Sequence, residues 1–166
     1  MRKLFFIFTF LFFGLAVQAQ NYQLHSVYIY SFIRYVQWPG GDTSSDFIIG
    51  VLGDSPLIPY LQKMAEVKKA GNRTIIIKKF DSVSEVTDSE IIFMSKESGN
   101  QLEGLLSRLN GKNTMIITEK EGMGKEGSNI NFVIRNGKLA FELNRAAMDR
   151  ADLKVSTELS RLAIII

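Results

Sequence analysis

Cysteine is absent from the 166-residue chain, and His25 is its one histidine. The first absence excludes a disulfide framework, a thiol nucleophile and a thioether-linked lipid anchor. Together the two remove the usual zinc ligand sets. Charge of one sign is also missing: 20 Lys and Arg face 17 Asp and Glu, with no basic stripe of the kind that tracks a phosphate backbone, so nucleic acid is excluded as a partner. A membrane-length apolar run is missing too. The longest, Leu4 to Val17, falls short of the ~20 residues that span a bilayer, and no charged stop-transfer cluster follows it.

What that run does provide is an export signal. Arg2 and Lys3 form the positive n-region, Leu4 to Val17 the apolar core, and Val17-Gln18-Ala19 puts small residues where a signal peptidase reads. Cleavage after Ala19 is expected, leaving residues 20–166 as one domain outside the cytoplasm. Loss of Arg2 and Lys3 takes the formal charge from +3 to +1. Without disulfides, stability has to come from packing.

The pattern downstream alternates strands and helices. Phe47 to Leu52 is a continuous apolar run closed by Gly53-Asp54, as in a strand buried on both faces. Leu57, Leu61, Met64 and Ala65 form one helical stripe ended by Gly71-Asn72. Thr74 to Ile77 and Glu90 to Met94 read as strands. Leu102, Leu105, Leu106 and Leu109 form the clearest amphipathic helix, and Asn113 to Thr118 a further strand. This order predicts an α/β fold, a three-layer sandwich with a largely parallel sheet. A C-terminal antiparallel hairpin completes it: a two-residue turn at Asn136-Gly137 pairs Ile134 with Leu139, Phe132 with Phe141 and Ile130 with Leu143. A last helix capped by Ser156 or Thr157 would dock through Leu159, Leu162, Ala163 and Ile166.

The segment Leu24 to Pro39, LHSVYIYSFIRYVQWP, is an aromatic helix cut off by Trp38-Pro39. Leu24, Tyr28, Phe32 and Tyr35 form one stripe and Ile29, Ile33 and Val36 its neighbour, a wider apolar surface than a half-buried helix needs. Burial against the sheet is the leading reading. Arg34, which interrupts the ring, is placed to meet a carboxylate such as Glu142 or a partner's aromatic ring.

Catalytic motifs are few. No serine sits in a G-x-S-x-G elbow, and His25 at the start of the helix reads as a solvated or capping residue. Gly122-Met123-Gly124-Lys125-Glu126-Gly127 matches G-x-G-x-x-G, but a dinucleotide turn needs a helix N-terminus after it, and here the strand Ile130–Ile134 follows. A flexible loop between strands is expected instead. Ligands in open α/β sheets collect beyond the carboxyl ends of strands, which singles out Gly53 and Asp54, Ser95 and Lys96, and Thr118 and Glu119. Glu142 and Asn144, on the hairpin face opposite Phe141, read as a salt bridge and a helix N-cap, or as ligand contacts.

Three pieces carry a resemblance: Tyr30-Ser31-Phe32 through Trp38-Pro39; Val51-Leu52-Gly53-Asp54; and Phe141-Glu142-Leu143-Asn144 followed by Ala151-Asp152-Leu153, Ser156, Leu159 and Leu162-Ala163. Together they are similar to the YfiR-like family, whose pattern runs Y-x-F…W-P, V-L-G-D and F-E-I-N…A-x-L…S…L…L-A. The resemblance implies a periplasmic regulator of α/β sandwich fold, without catalysis or cofactor, that contacts an inner-membrane diguanylate cyclase or sensor kinase. The best-known member uses disulfides, and this chain has none to use. Arg34, Trp38, Gly53, Asp54, Ser95, Lys96, Glu142 and Asn144 are the expected binding residues. A small-molecule ligand and a homodimer stay open as further partners, and two other functions stay open as well: a secreted hydrolase built on carboxylates and serine, and a small-ligand carrier for an envelope transporter.

Overall fold

A computed structural model describes residues 22–40 and 46–166. The expected export segment and its cleavage site lie outside these residues. Strands β2 (Phe47–Leu52), β4 (Arg73–Phe80), β5 (Ile91–Met94) and β6 (Met115–Thr118) run parallel, in the order β6-β5-β2-β4. Strand β3 (Lys69–Ala70) closes one edge antiparallel to β4 across Gly71-Asn72. At the other side β7 (Ile130–Arg135) joins β6 in parallel, the hairpin strand β8 (Lys138–Leu143) follows, and β10 (Ile164–Ile165) lies parallel to β8. The result is a curled eight-stranded sheet, mostly parallel.

The central strands are apolar on both faces because both faces are covered. Along β5, Ile91 and Phe93 join one core while Ile92 and Met94 join another; β6 repeats this with Met115 and Ile117 against Ile116. The first core is roofed by helix α1 (22–35), α2 (Ile58–Val67), α5 (Arg145–Arg150) and α6 (Thr157–Leu162). The second is roofed by α3 (Leu102–Arg108) through Leu102 and Leu105, and by the one-turn α4 (Met123–Glu126) through Met123. This is the expected three-layer arrangement. The hairpin register is Ile134 to Leu139, Phe132 to Phe141 and Ile130 to Leu143. Asn136 and Gly137 both have positive φ, 52° and 71°, as a turn that matches the strands' own twist requires.

Five details depart from the sequence reading. Helix α2 ends at Val67, and Gly71-Asn72 is instead the turn between β3 and β4. Helix α1 ends at residue 35, and Val36–Gln37 instead form β1, antiparallel to β9 (Lys154–Val155). The buried face of α1 is His25, Ile29, Phe32 and Ile33, continued by Val36 at the start of β1, whereas Leu24 is 44% exposed. The glycine-rich stretch is not a loose loop: α4 forms inside it and buries Met123 in the second core, where the chain returns from the end of β6 to the start of the parallel β7. Finally, Leu162 is 67% exposed, so the terminal docking stripe narrows to Leu159, which is fully buried, and Ala163, which is half-buried against the first core; the chain leaves α6 at once to add β10 to the sheet.

Candidate functional site

The aromatic character of α1 is explained by what it lies on. Phe32 packs edge-on to Phe141 at 5.0 Å and tilted against Phe132 at 5.9 Å, and Tyr28 meets Phe141 at 5.6 Å. Such pairs contribute roughly 0.5–1.5 kcal/mol each beyond their area burial. They hold the helix across the β7–β8 hairpin, so its first turn projects past the carboxyl end of β6. There His25 is buried and stands edge-on to Phe132 at 4.3 Å. This corrects the reading of His25 as a solvated residue: a helical position four before Ile29 belongs to the buried stripe.

Glu119, the first residue after β6, meets this turn. Its Oε2 lies 3.6 Å from His25 Nε2, and its Oε1 accepts from the Tyr22 hydroxyl at 3.4 Å and from the Lys96 backbone N–H at 3.2 Å. Burial pushes the Glu119 carboxyl above its ordinary value, against the backbone hydrogen bond from Lys96, which lowers it. Burial, reinforced by the negative charges of Glu119 and Glu97, pushes the Tyr22 phenol up to about 12.

These groups form one wall of a cleft of about 570 Å³, within the usual range of binding pockets. Glu119, Lys120 and Glu121 continue that wall, and Phe132, Val133, Ile134 and Arg135 of β7 form the other, with Leu139 and Lys96 at the margins. Beneath the hairpin lies a buried polar network. Thr118 Oγ1 is 2.8 Å from Asn131 Oδ1 and 2.9 Å from Ser128 Oγ. The Asn131 oxygen takes the hydroxyl proton, which leaves its nitrogen to donate to Glu142 Oε2 at 3.0 Å. Arg135 then pairs with Glu142 Oε1 at 3.3 Å.

The expected site residues are therefore divided. Lys96 lines the cleft. Glu142 lies below it, 8% exposed rather than solvated, and its cation is Arg135, not Arg34. Arg34 instead rests over the ring of its own neighbour Tyr35, 5.5 Å from the centroid. Asn144 caps α5, accepting from the Ala147 N–H at 2.9 Å, and donates to the Gly124 carbonyl at 2.8 Å. Gly53 has φ +79° and donates its N–H to Phe80 O, Asp54 is exposed and pairs with Lys79 at 2.7 Å, and Ser95 is buried 3.2 Å from Ser98 Oγ. Trp38 donates to the Glu90 carbonyl at 3.1 Å, at the amino end of β5 and so at the opposite end of the sheet from the cleft.

The strand-end rule thus brings Lys96 and Glu119 together, while Tyr22, Phe132 and Arg135 were not singled out as site residues. The signal that would have found Phe132 and Arg135 is the length of β7: the hairpin register runs to Arg135, and β6 is too short to accompany it. Among the described residues there is no group of three or more His, Asp or Glu side chains placed to hold a metal ion, and no helix long and apolar enough to cross a membrane.

Fold and cleft define a three-layer α/β domain that presents a recessed surface at the ends of its parallel strands. A family model described as YfiR/HmsC-like matches residues 22–164, and the chain belongs to that family. The family consists of periplasmic regulators of signalling enzymes. No curated protein matches the chain. Among solved structures, the chain is similar to an ABC domain from Streptococcus pneumonia in complex with L-Trp, at a TM-score of 0.53 and 12% identity. The likeness covers 72% of this chain and 55% of the other, so the chain spans about half the length of that protein, and what they share is the fold.

Proposed function

We propose that residues 20–166, freed from the export segment by cleavage after Ala19, act in the periplasm as a non-catalytic domain that controls an inner-membrane signalling enzyme of the cyclase or kinase type. The cleft at the end of β6 is where that control is exerted. The observation that carries this reading is the arrangement around Glu119. Its carboxyl group is committed to the Tyr22 hydroxyl and the Lys96 amide and faces His25, so it shapes the cleft wall rather than waiting for a proton to abstract.

The hydrolase alternative loses support from the same geometry. Asp54 follows β2 and Glu142 lies on β8, four strands apart in the sheet, or roughly 19 Å at the usual strand spacing. Carboxylates that share a glycosidic bond stand about 5–9.5 Å apart. Capture of solubilised inner-membrane proteins on the immobilised mature chain tests the reading. A signalling enzyme should be retained, and its output should change when the domain is added. Retention of soluble metabolic proteins alone would sink it.

A further inference from the structure

The cleft has an unusual lining. Four consecutive β7 residues, Phe132 to Arg135, all face it, whereas a pocket on one side of a sheet would see only alternate residues. Consecutive lining means that the cleft lies along the edge of the strand. The ladder agrees: β6 accompanies β7 only at Ile117–Ile130 and Thr118–Asn131, while β8 accompanies it from Ile130 through Arg135. Beyond Asn131, β7 therefore has a partner strand on one side only, among the described residues.

The direction of the backbone groups follows from the turn. A two-residue hairpin makes its flanking pair, Arg135 and Lys138, the hydrogen-bonded one, and the pattern alternates from there. Arg135, Val133 and Asn131 thus turn their N–H and C=O toward β8. The Asn129 carbonyl, two residues earlier, accepts from Asn144 N–H with the same parity, while the Asn129 N–H reaches Ile116 O of β6. Phe132 and Ile134 turn theirs the other way, and those of Ile134 point into the cleft. Ile134 itself is 53% exposed. An open strand edge in a walled notch is a template for another strand.

From this edge we infer that the cleft takes an extended peptide segment of a protein partner, added to β7 as a strand between Phe132–Arg135 and the Glu119–Glu121 wall. This rests on the reading of the cleft as the site of control. The side chains select the peptide. One face of the added strand lies beside Ile134 and Leu139 and calls for apolar residues. Along the cleft the exposed cations Lys96 and Lys120 outnumber the exposed carboxylate Glu121, since Glu119 is turned inward to Tyr22 and Lys96 and Arg135 is paired with Glu142. Alternating apolar and acidic residues satisfy both.

The test is selection of a displayed random decapeptide library on the intact mature chain, followed by fluorescence anisotropy of the enriched peptides. Enriched sequences should alternate apolar and acidic residues. Methylation of every second peptide amide, which leaves the protein untouched, should weaken binding at least tenfold, and so should Ile134→Pro, which removes a backbone donor on the cleft side. Lys120→Glu should weaken acidic peptides selectively. No enrichment over background, or binding indifferent to both the methylated amides and Ile134→Pro, overturns the inference. If an inner-membrane signalling enzyme is retained equally by wild type and Ile134→Pro, the regulatory reading stands while strand addition at β7 falls.

Discussion

His25 Nε2 stands 3.6 Å from Glu119 Oε2 where the first turn of α1 passes the end of β6. The two residues are 94 positions apart in sequence by their numbers, 25 and 119. What joins them is the aromatic packing of α1 on the hairpin, with Phe132 touching His25 directly.

Glu119 makes stability pH-dependent with a definite sign. Burial raises its pKa, so the folded state holds the proton more tightly than the unfolded chain. The stability this contributes is full below the ordinary value of 4.5 and is lost as pH rises through the raised one. Urea midpoints measured from pH 4 upward should therefore fall more steeply for wild type than for Glu119→Gln, whose amide has no proton to lose. Identical slopes would show that the carboxyl is not buried as described.

Asn131 links Thr118 to Glu142 in a region closed to water: Asn131 is 0% and Thr118 1% exposed. Asn131→Ala removes both links and leaves Glu142 short of a donor, a loss of about 2 kcal/mol. Asn131→Asp is expected to cost more, because it sets a second carboxylate against Glu142. Chemical denaturation of the two variants checks the order.

Asn144 has two jobs that substitution separates. Its oxygen caps α5 and its nitrogen holds the Gly124 carbonyl. Asn144→Asp keeps the cap and loses the donor, whereas Asn144→Ala loses both, so Ala is expected to be the more destabilising by about 1 kcal/mol. Gly124→Ala acts on the same junction. A Cβ there would stand 2.9 Å from Glu142 Oε2 and 2.7 Å from Ile166 Cδ1, and about 1–3 kcal/mol is expected for the overpacking. Thermal unfolding of the three variants measures both effects.

Much of the fold is legible in the residues because it rests on local rules. The run Phe47 to Leu52 and the Asn136-Gly137 register depend on apolar continuity and on a turn that admits one pairing, and both are found in place. What escapes is decided at a distance. Val36 and Gln37 continue a helical pattern, yet pairing with Lys154 and Val155 draws them into β1. Leu162 has the spacing of a buried residue, but the sheet edge captures the chain two positions later. In the candidate site, Lys96 and Glu119 are legible as strand ends. Tyr22 and His25 are not, since their place follows from where α1 crosses the hairpin. Arg34 and Glu142 shared charge complementarity only; Arg135, seven residues from Glu142 across the turn, is the nearer cation.

The central claim is that control runs through the open edge of β7. Its most direct measurement is the fraction of an inner-membrane signalling enzyme retained by the immobilised wild-type chain and by Ile134→Pro, both verified as folded by circular dichroism. Retention by wild type, reduced at least tenfold in the variant, is the predicted result. Equal retention by the two would contradict it.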